Sequence, residues 1–239
     1  MANNTDIKGY SKKFTKTIHL GFRDEALVKL CRDKKVVHIG CTDWPNQEQL
    51  MSLGTLLHQK LFKSVDKIVG VDIDKNGILA YQSMYPQEVF LVGDVAESHD
   101  LRKDLCDQEI DIVLIPDVIE HIEDGKKFLL GVRDIALESG AQVVLTTPNA
   151  FALKTFLPVF LNRDYTHPDH CALHNEFTLK HLIESANFEI TSIGYYQRSI
   201  EARYGKIMSI LVKPIDWIAT VIPRLGDGIM ISIRANHLS

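Results

Sequence analysis

Val36-Val37-His38-Ile39 runs into Gly40-Cys41-Thr42-Asp43, and one helix-length further on Ile68-Val69-Gly70-Val71 closes on Asp72. Both runs are short, β-branched and without polar alternation, the pattern of parallel strands buried on both faces. Parallel neighbours can be joined only by a crossover, so the residues that follow the two strands share one edge of a sheet. At that edge Gly40 lets the backbone come close to a ligand. Asp72 delivers a carboxylate that can accept hydrogen bonds from both hydroxyls of a ribose. The pair predicts a nucleotide site, with adenosine as the expected ligand.

The same design recurs along the chain. Val89–Val92 closes on Gly93-Asp94, Ile112–Ile115 on Pro116-Asp117, and Val143–Thr146 reaches Pro148-Asn149. Between them the spacing predicts helices over Leu50–Phe62, Gly77–Tyr85 and residues 125–138. The last of these carries Phe128, Leu129, Val132, Ile135 and Ala136 on one face and ends at Gly140. Thr178 is expected to cap a helix that buries Leu179, Leu182, Ile183 and Ala186. Phe188–Ile193 reads as a sixth strand and Ile229–Ile233 as a seventh. The expectation is a doubly wound α/β fold with a mostly parallel seven-stranded sheet. Residues 1–33 read as an N-terminal arm and a short helix (Phe22–Cys31), and 34–239 as one domain with a helical insert at about 200–225.

Composition narrows the partners. A net charge of −4 and the lack of a long basic run call for no nucleic acid, and the basic stretch Lys8–Lys16 reads as a solvated arm. Cys31, Cys41, Cys106 and Cys171 are too scattered for a disulfide framework or a zinc knuckle. The N-terminus lacks the charged-then-apolar order of a signal peptide, so a cytoplasmic protein is expected. The insert is rich in Ile, Leu, Met and Trp, but Lys213-Pro214 and Asp216 interrupt it too often for a transmembrane segment. It is expected to cover the site or to form a homodimer contact, in preference to a lipid-facing surface.

A dinucleotide-dependent dehydrogenase needs Gly-x-Gly-x-x-Gly at the first loop. Gly40-Cys41-Thr42-Asp43-Trp44-Pro45 offers one glycine, and its acid would repel a pyrophosphate. A ligand with ribose, adenine and a cationic centre suits the loop better. Val-Val-His-Ile-Gly-Cys-Thr-Asp (36–43), Val-Gly-Val-Asp-Ile-Asp (69–74), Val-Gly-Asp-Val-Ala-Glu (92–97), Asp-Val-Ile-Glu-His-Ile (117–122) and Leu-Thr-Thr-Pro-Asn (145–149) follow in order. With these stretches the chain resembles a class I S-adenosylmethionine-dependent methyltransferase, from about residue 34 to 197. The resemblance implies a Rossmann-like fold and S-adenosyl-L-methionine as cofactor. It places His38, Gly40, Cys41 and Thr42 along the methionine part, Asp72 and Ile73 at the ribose, and Asp94 and Val95 at the adenine. Pro116 and Asp117 would close the crevice below the sulfonium.

Two positions depart from the family pattern, which has an acid where His38 stands and a second glycine where Thr42 stands. Asp43 is the expected replacement for the acid, and His38 reads equally as a satisfied strand-end histidine. The long gap from Gly40 to the next helix, with Leu57-His58 inside it, resembles methyltransferases of polysaccharide and glycan biosynthesis. An oxygen acceptor needs a base, and His121, His167, His170 and His174 follow strands four and five. His167 and His170 are expected to lead His121, with no metal. The expected activity is an O-methyltransferase acting on a sugar hydroxyl or a small molecule. The alternatives are a metal-assisted RNA 3′-terminal 2′-O-methyltransferase, suggested by Asp117-x-x-Glu120-His121 with a later histidine, and a non-catalytic adenosyl-binding scaffold.

Overall fold

The computed structural model describes residues 17–43, 47–164, 166–198 and 213–236. The basic stretch 8–16, the turn 44–46 and residues 199–212 of the insert lie outside them. Eight strands form the sheet: β1 (Ile18–Phe22), β2 (Lys35–Ile39), β3 (Lys67–Asp72), β4 (Val89–Val92), β5 (Ile112–Pro116), β6 (Gln142–Pro148), β7 (Phe188–Gln197) and β8 (Gly228–Ala235). Their spatial order is β1-β7-β8-β6-β5-β2-β3-β4. Only β8 runs against its neighbours, antiparallel to β6 and to β7. The doubly wound, mostly parallel architecture is as expected, with one strand more than the seven anticipated. The extra strand is β1, inside the segment read as an arm, where Ile18 pairs with Gly194 and Phe22 with Gln197. Its pattern Ile-His-Leu-Gly-Phe carries little strand signal, because an edge strand needs no continuous apolar run.

Successive strand residues feed two different cores. Val37, Ile39, Val69, Val71, Val113, Ile115, Val143 and Leu145 face one layer, built from α5 (His99–Cys106), α6 (Gly125–Ser139) and α8 (Glu176–Ser185). Val36, Ile68, Ile112, Leu114 and Val144 face the other, where α1 (Arg23–Cys31) and α3 (Leu57–Phe62) supply Leu27, Cys31, Leu57 and Leu61. A third cluster joins Cys41, Met51 and Leu56 to Ile78 and Tyr81 of α4 (Lys75–Met84) and to Phe90. This two-sided burial is why the strands read as unbroken apolar runs.

Two helix expectations change in detail, and one helix, α5, was not anticipated. The helix foreseen over Leu50–Phe62 is two, α2 (Gln47–Ser52) and α3, because Gly54 at φ +65° turns the chain between them. Thr178 is not the cap of α8: Asn175 is, its side chain accepting from the Phe177 and Thr178 amides while Thr178 Oγ1 accepts from the Asn175 amide. That is a capping box with the roles shifted by three residues. Helix α5 carries only Leu101 and Leu105 as fully buried residues, a stripe too narrow to stand out among its charges. The stop at Gly140 is as foreseen, at φ +70°. Of the insert, residues 213–221 are helical. Trp217, Val221 and Ile222 are exposed there. No helix among the described residues is long and apolar enough to cross a membrane.

Candidate active site

The carboxyl ends of β2, β3, β4 and β5 meet at one edge, and the loop after β2 is the tightest part of it. Gly40 sits at φ +77°, and a Cβ there would stand 2.3 Å from Val118 Cγ2, so the loop and the segment after β5 touch across this glycine. The Gly40 and Cys41 amides both donate to the Val71 carbonyl, tying the loop to β3. Thr42 takes the place of the missing glycine in a specific way. Its amide and its hydroxyl both donate to Asp72 Oδ2, each at 2.9 Å, while Asp72 Oδ1 accepts from the Asp74 amide. The carboxylate therefore fixes the loop and keeps lone-pair capacity for a ligand hydroxyl.

The other expected cofactor residues divide by burial. Ile73 is 72% exposed beside Asp72, a flat apolar shelf at the mouth of the crevice. Asp94 follows β4 and caps its own turn by accepting from the Ala96 amide at 2.8 Å. Val95 and Cys41 turn their side chains into the core, each at most 2% exposed. Any contact either makes with a cofactor is through its backbone. Burial, with Asp72 nearby, pushes the Cys41 thiol well above its ordinary range, so it is no nucleophile. Pro116 is buried at the end of β5.

His38 points away from the crevice. Its Nδ1 lies 2.9 Å from Nδ1 of His58, the rings stack at 5.1 Å, and both residues are at most 2% exposed. Phe62, Tyr81 and Phe90 surround His58. Burial holds both imidazoles neutral, His58 down to about 3 and His38 well below its usual range, with His58 and Arg23 adding to the latter. At the Nδ1–Nδ1 contact one ring donates and the other accepts, within a cage of aromatics, while Nε2 of each ring is buried without a protein partner among the described residues.

Asp117 is a hub that the sequence did not announce. At φ +53° it turns its carboxylate back toward the sheet. There Oδ1 accepts from Thr146 Oγ1 and from Tyr196 Oη, both at 2.9 Å, and Oδ2 accepts from the guanidiniums of Arg23 and Arg198. Burial alone would raise this acid, but Arg198, Arg23 and the two hydroxyls together hold it well below the usual carboxylate range.

Past Asp117 the chain makes a short 3-10 turn, Ile119–His121, and the loop after β6 is laced to it. The Cys171 amide donates to the Glu120 carbonyl at 2.8 Å, and His121 Nδ1 lies 3.1 Å from the Asp169 carbonyl. This lacing brings three of the four histidines together, with ring centroids 4.7 Å (His121–His170), 5.4 Å (His167–His170) and 6.0 Å (His121–His167) apart. His174 is not in the group; it is buried, and its backbone pairs with the strand end at Asn149-Ala150. Burial, then His121, His167 and Arg198, lower His170 to about 4, so its lone pair is available at neutral pH. Glu120 is 1% exposed; Oε2 accepts from Thr147 Oγ1, and Oε1 is buried without a protein partner among the described residues. Burial, then Asp117, raise this acid to about 8. Ligand atoms of Glu120, His121 and His170 all lie within 4.8 Å of one another.

Sequence reading missed Arg23, Tyr196, Arg198, Thr146 and His58. Arg23 leaves one trace: a cation opens α1, where the helix dipole disfavours it. Asp24 and Asp117 compensate that charge.

The edge suits S-adenosylmethionine: a loop with one glycine and an acid, Asp43, where a pyrophosphate would be repelled, a carboxylate beside the exposed Ile73, and acids along the crevice. The fold recurs in solved methyltransferases, all at low identity. The small RNA methyltransferase HEN1 superposes with a TM-score of 0.55 at 17% identity, over 96% of this chain but only 27% of that one. A protein from Bacillus halodurans C-125 inferred to be a methyltransferase gives 0.56 at 15%, over 90% and 99% of the two chains. Magnesium protoporphyrin IX methyltransferase from Synechocystis PCC 6803, solved with bound S-adenosylhomocysteine, gives 0.52 at 14%, over 89% and 82%. No curated protein matches the sequence. The model of the methyltransferase domain family matches residues 23–193, most of the chain, from the first residue of α1 into β7. With that span and this strand-end geometry, the chain belongs to the methyltransferase domain family and is a class I S-adenosylmethionine-dependent methyltransferase.

Proposed function

We propose that the protein methylates an oxygen of a sugar or another small hydroxylated molecule in the cytoplasm, as a step in building a glycan or polysaccharide. When bound, S-adenosylmethionine supplies a methyl group on a sulfonium, a good leaving group. The chain's own task is then to align the acceptor and take its proton. The observation that carries the reading is the convergence of His121, from the turn after β5, with His167 and His170, from the loop after β6, near Asp117. In this reading His170 or His167 is the base, the Gly40 loop, Asp72 and Ile73 hold the methionine part and the ribose of the cofactor, and Asp94 and Val95 contact its adenine. A screen against hydroxylated sugars, with and without chelator and across pH, tests it. Activity that survives chelation and falls at acid pH supports the base.

A second reading is favoured by the tight grouping of Glu120, His121 and His170. Two imidazoles and a carboxylate suit a divalent transition metal, and the alternative is metal-assisted methylation of an RNA 3′ end. HEN1, a small RNA methyltransferase of the same fold, is one of the structures this chain resembles. Asp117 is no part of such a set, because its two oxygens are already taken by four donors. Activity lost to chelator, restored by a divalent cation and directed at RNA ends would replace the first reading with this one.

The cofactor assignment has its own test. Asp72→Ala should weaken S-adenosylhomocysteine by about 1.5–3 kcal/mol in calorimetric titration, through the lost ribose bonds and the freed Thr42 loop. Equal affinity in both proteins would remove Asp72 from the site.

A further inference from the structure

Asp117 uses up its acceptors on four donors, whereas the two arginines that hold it do not use up theirs. A guanidinium carries five N–H groups in a fixed fork. Arg23 gives one nitrogen to Asp117 and its Nε to Asp24, which also takes Lys60. Arg198 gives one terminal nitrogen to Asp117, while its Nε is buried and without a protein partner among the described residues. The two arrive from opposite ends of the fold, Arg23 from the first turn of α1 and Arg198 from just past β7. They meet on one carboxylate oxygen at the crevice edge.

Their surroundings fix what the remaining donors face. Asp43, at the end of the cofactor loop, lies within electrostatic range of Arg23, Asp117 and Arg198. Arg198 is also within range of Glu120 and His170. Both arginines therefore lie within electrostatic range of the end of the cofactor loop, and Arg198 also of the histidine group. His38, near the end of β2, is neutral and buried, and its Nδ1 is engaged with His58, so it brings no charge to the methionine end of the cofactor.

We propose that Arg23 and Arg198, pinned side by side on Asp117, form an oxyanion-binding fork in the crevice that takes a carboxylate or a phosphate. Two sources supply that chemistry: the α-carboxylate of the cofactor's methionine end, or an acidic group on the acceptor. The second source would deepen the proposed function, by making the acceptor an anionic molecule, and rests on that reading; the first does not. Either way the positive fork is aimed by Asp117, which explains a fully saturated carboxylate at the centre of an active site.

Calorimetric titration of the wild type, Arg23→Gln and Arg198→Gln separates the sources. The ligands are S-adenosylhomocysteine and 5′-methylthioadenosine, which keeps the nucleoside and sulfur but lacks the amino acid. If the fork takes the methionine carboxylate, the variants bind S-adenosylhomocysteine about 10- to 100-fold more weakly and methylthioadenosine as before. If it takes the acceptor, both nucleosides bind unchanged. The wild type saturated with S-adenosylhomocysteine then shows saturable shifts of arginine side-chain NMR signals with inorganic phosphate or malonate, and the variants do not. Unchanged nucleoside binding with no saturable anion response overturns the proposal. Arg23→Lys and Arg198→Lys keep the charge and remove the fork, and serve where a glutamine variant does not fold. Parallel loss of both nucleosides in the lysine variants also overturns it. No methyl transfer is measured, so these outcomes are independent of which acceptor the enzyme uses.

Discussion

His170→Ala is expected to lower the rate of methyl transfer by ~10²–10⁴-fold, the range for removing a positioned general base. His170 has the central place in the histidine group, 4.7 Å from His121 and 5.4 Å from His167 between ring centroids. It also has the lowered basicity that keeps its lone pair open at neutral pH. The informative partner is Glu120→Gln. A base mechanism leaves this carboxyl a bystander, raised to about 8 and close in shape to the amide that replaces it. The expected loss is then under about tenfold, well below the range for a base. A metal mechanism makes Glu120 a ligand, and its loss would equal that of His170. Steady-state rates of the two variants, with and without chelator, decide between them, and equal damage from both would end the base assignment.

Asp117→Asn should destabilise the fold by ~3 kcal/mol, the lower end for breaking a buried ion pair from one side. Asparagine tolerates the positive φ at this position, so the change isolates charge from backbone strain. It leaves Arg23, whose side chain is 21% exposed, facing Arg198 with no carboxylate between them. Arg198 is 40% exposed, and water offsets part of its loss, which is why the low end is expected. Urea unfolding of the two proteins measures the difference. A midpoint shift worth under about 1 kcal/mol, the size of an exposed ion pair, would mean that solvent already screens the hub.

The crevice shows how legibility varied from residue to residue. Gly40, Asp72 and Asp94 were readable as strand-end residues because each stands within two residues of the end of a strand, and an apolar run fixes where its strand ends. His38 sits in the same motif but turned inward, because its partner His58 arrives from α3, twenty positions away. Thr42 was legible as a departure, and the structure supplies its reason, since its amide and hydroxyl brace Asp72. The histidines were visible as a cluster in the chain, yet three of them meet and His174 does not. That outcome depends on the Glu120 carbonyl accepting the Cys171 amide, a contact invisible to spacing.

By itself the sequence determined the layered α/β fold, the shared strand edge and the cofactor class. The tertiary structure alone decided that β1 joins the sheet, that Asp117 is held rather than free, and that Arg23 and Arg198 meet upon it. The reason is physical. Burial on both faces of a strand shapes consecutive residues, so a period of the chain records it. Ion pairs spanning 94 and 81 positions leave no period, because each partner's neighbours in sequence belong to unrelated surroundings.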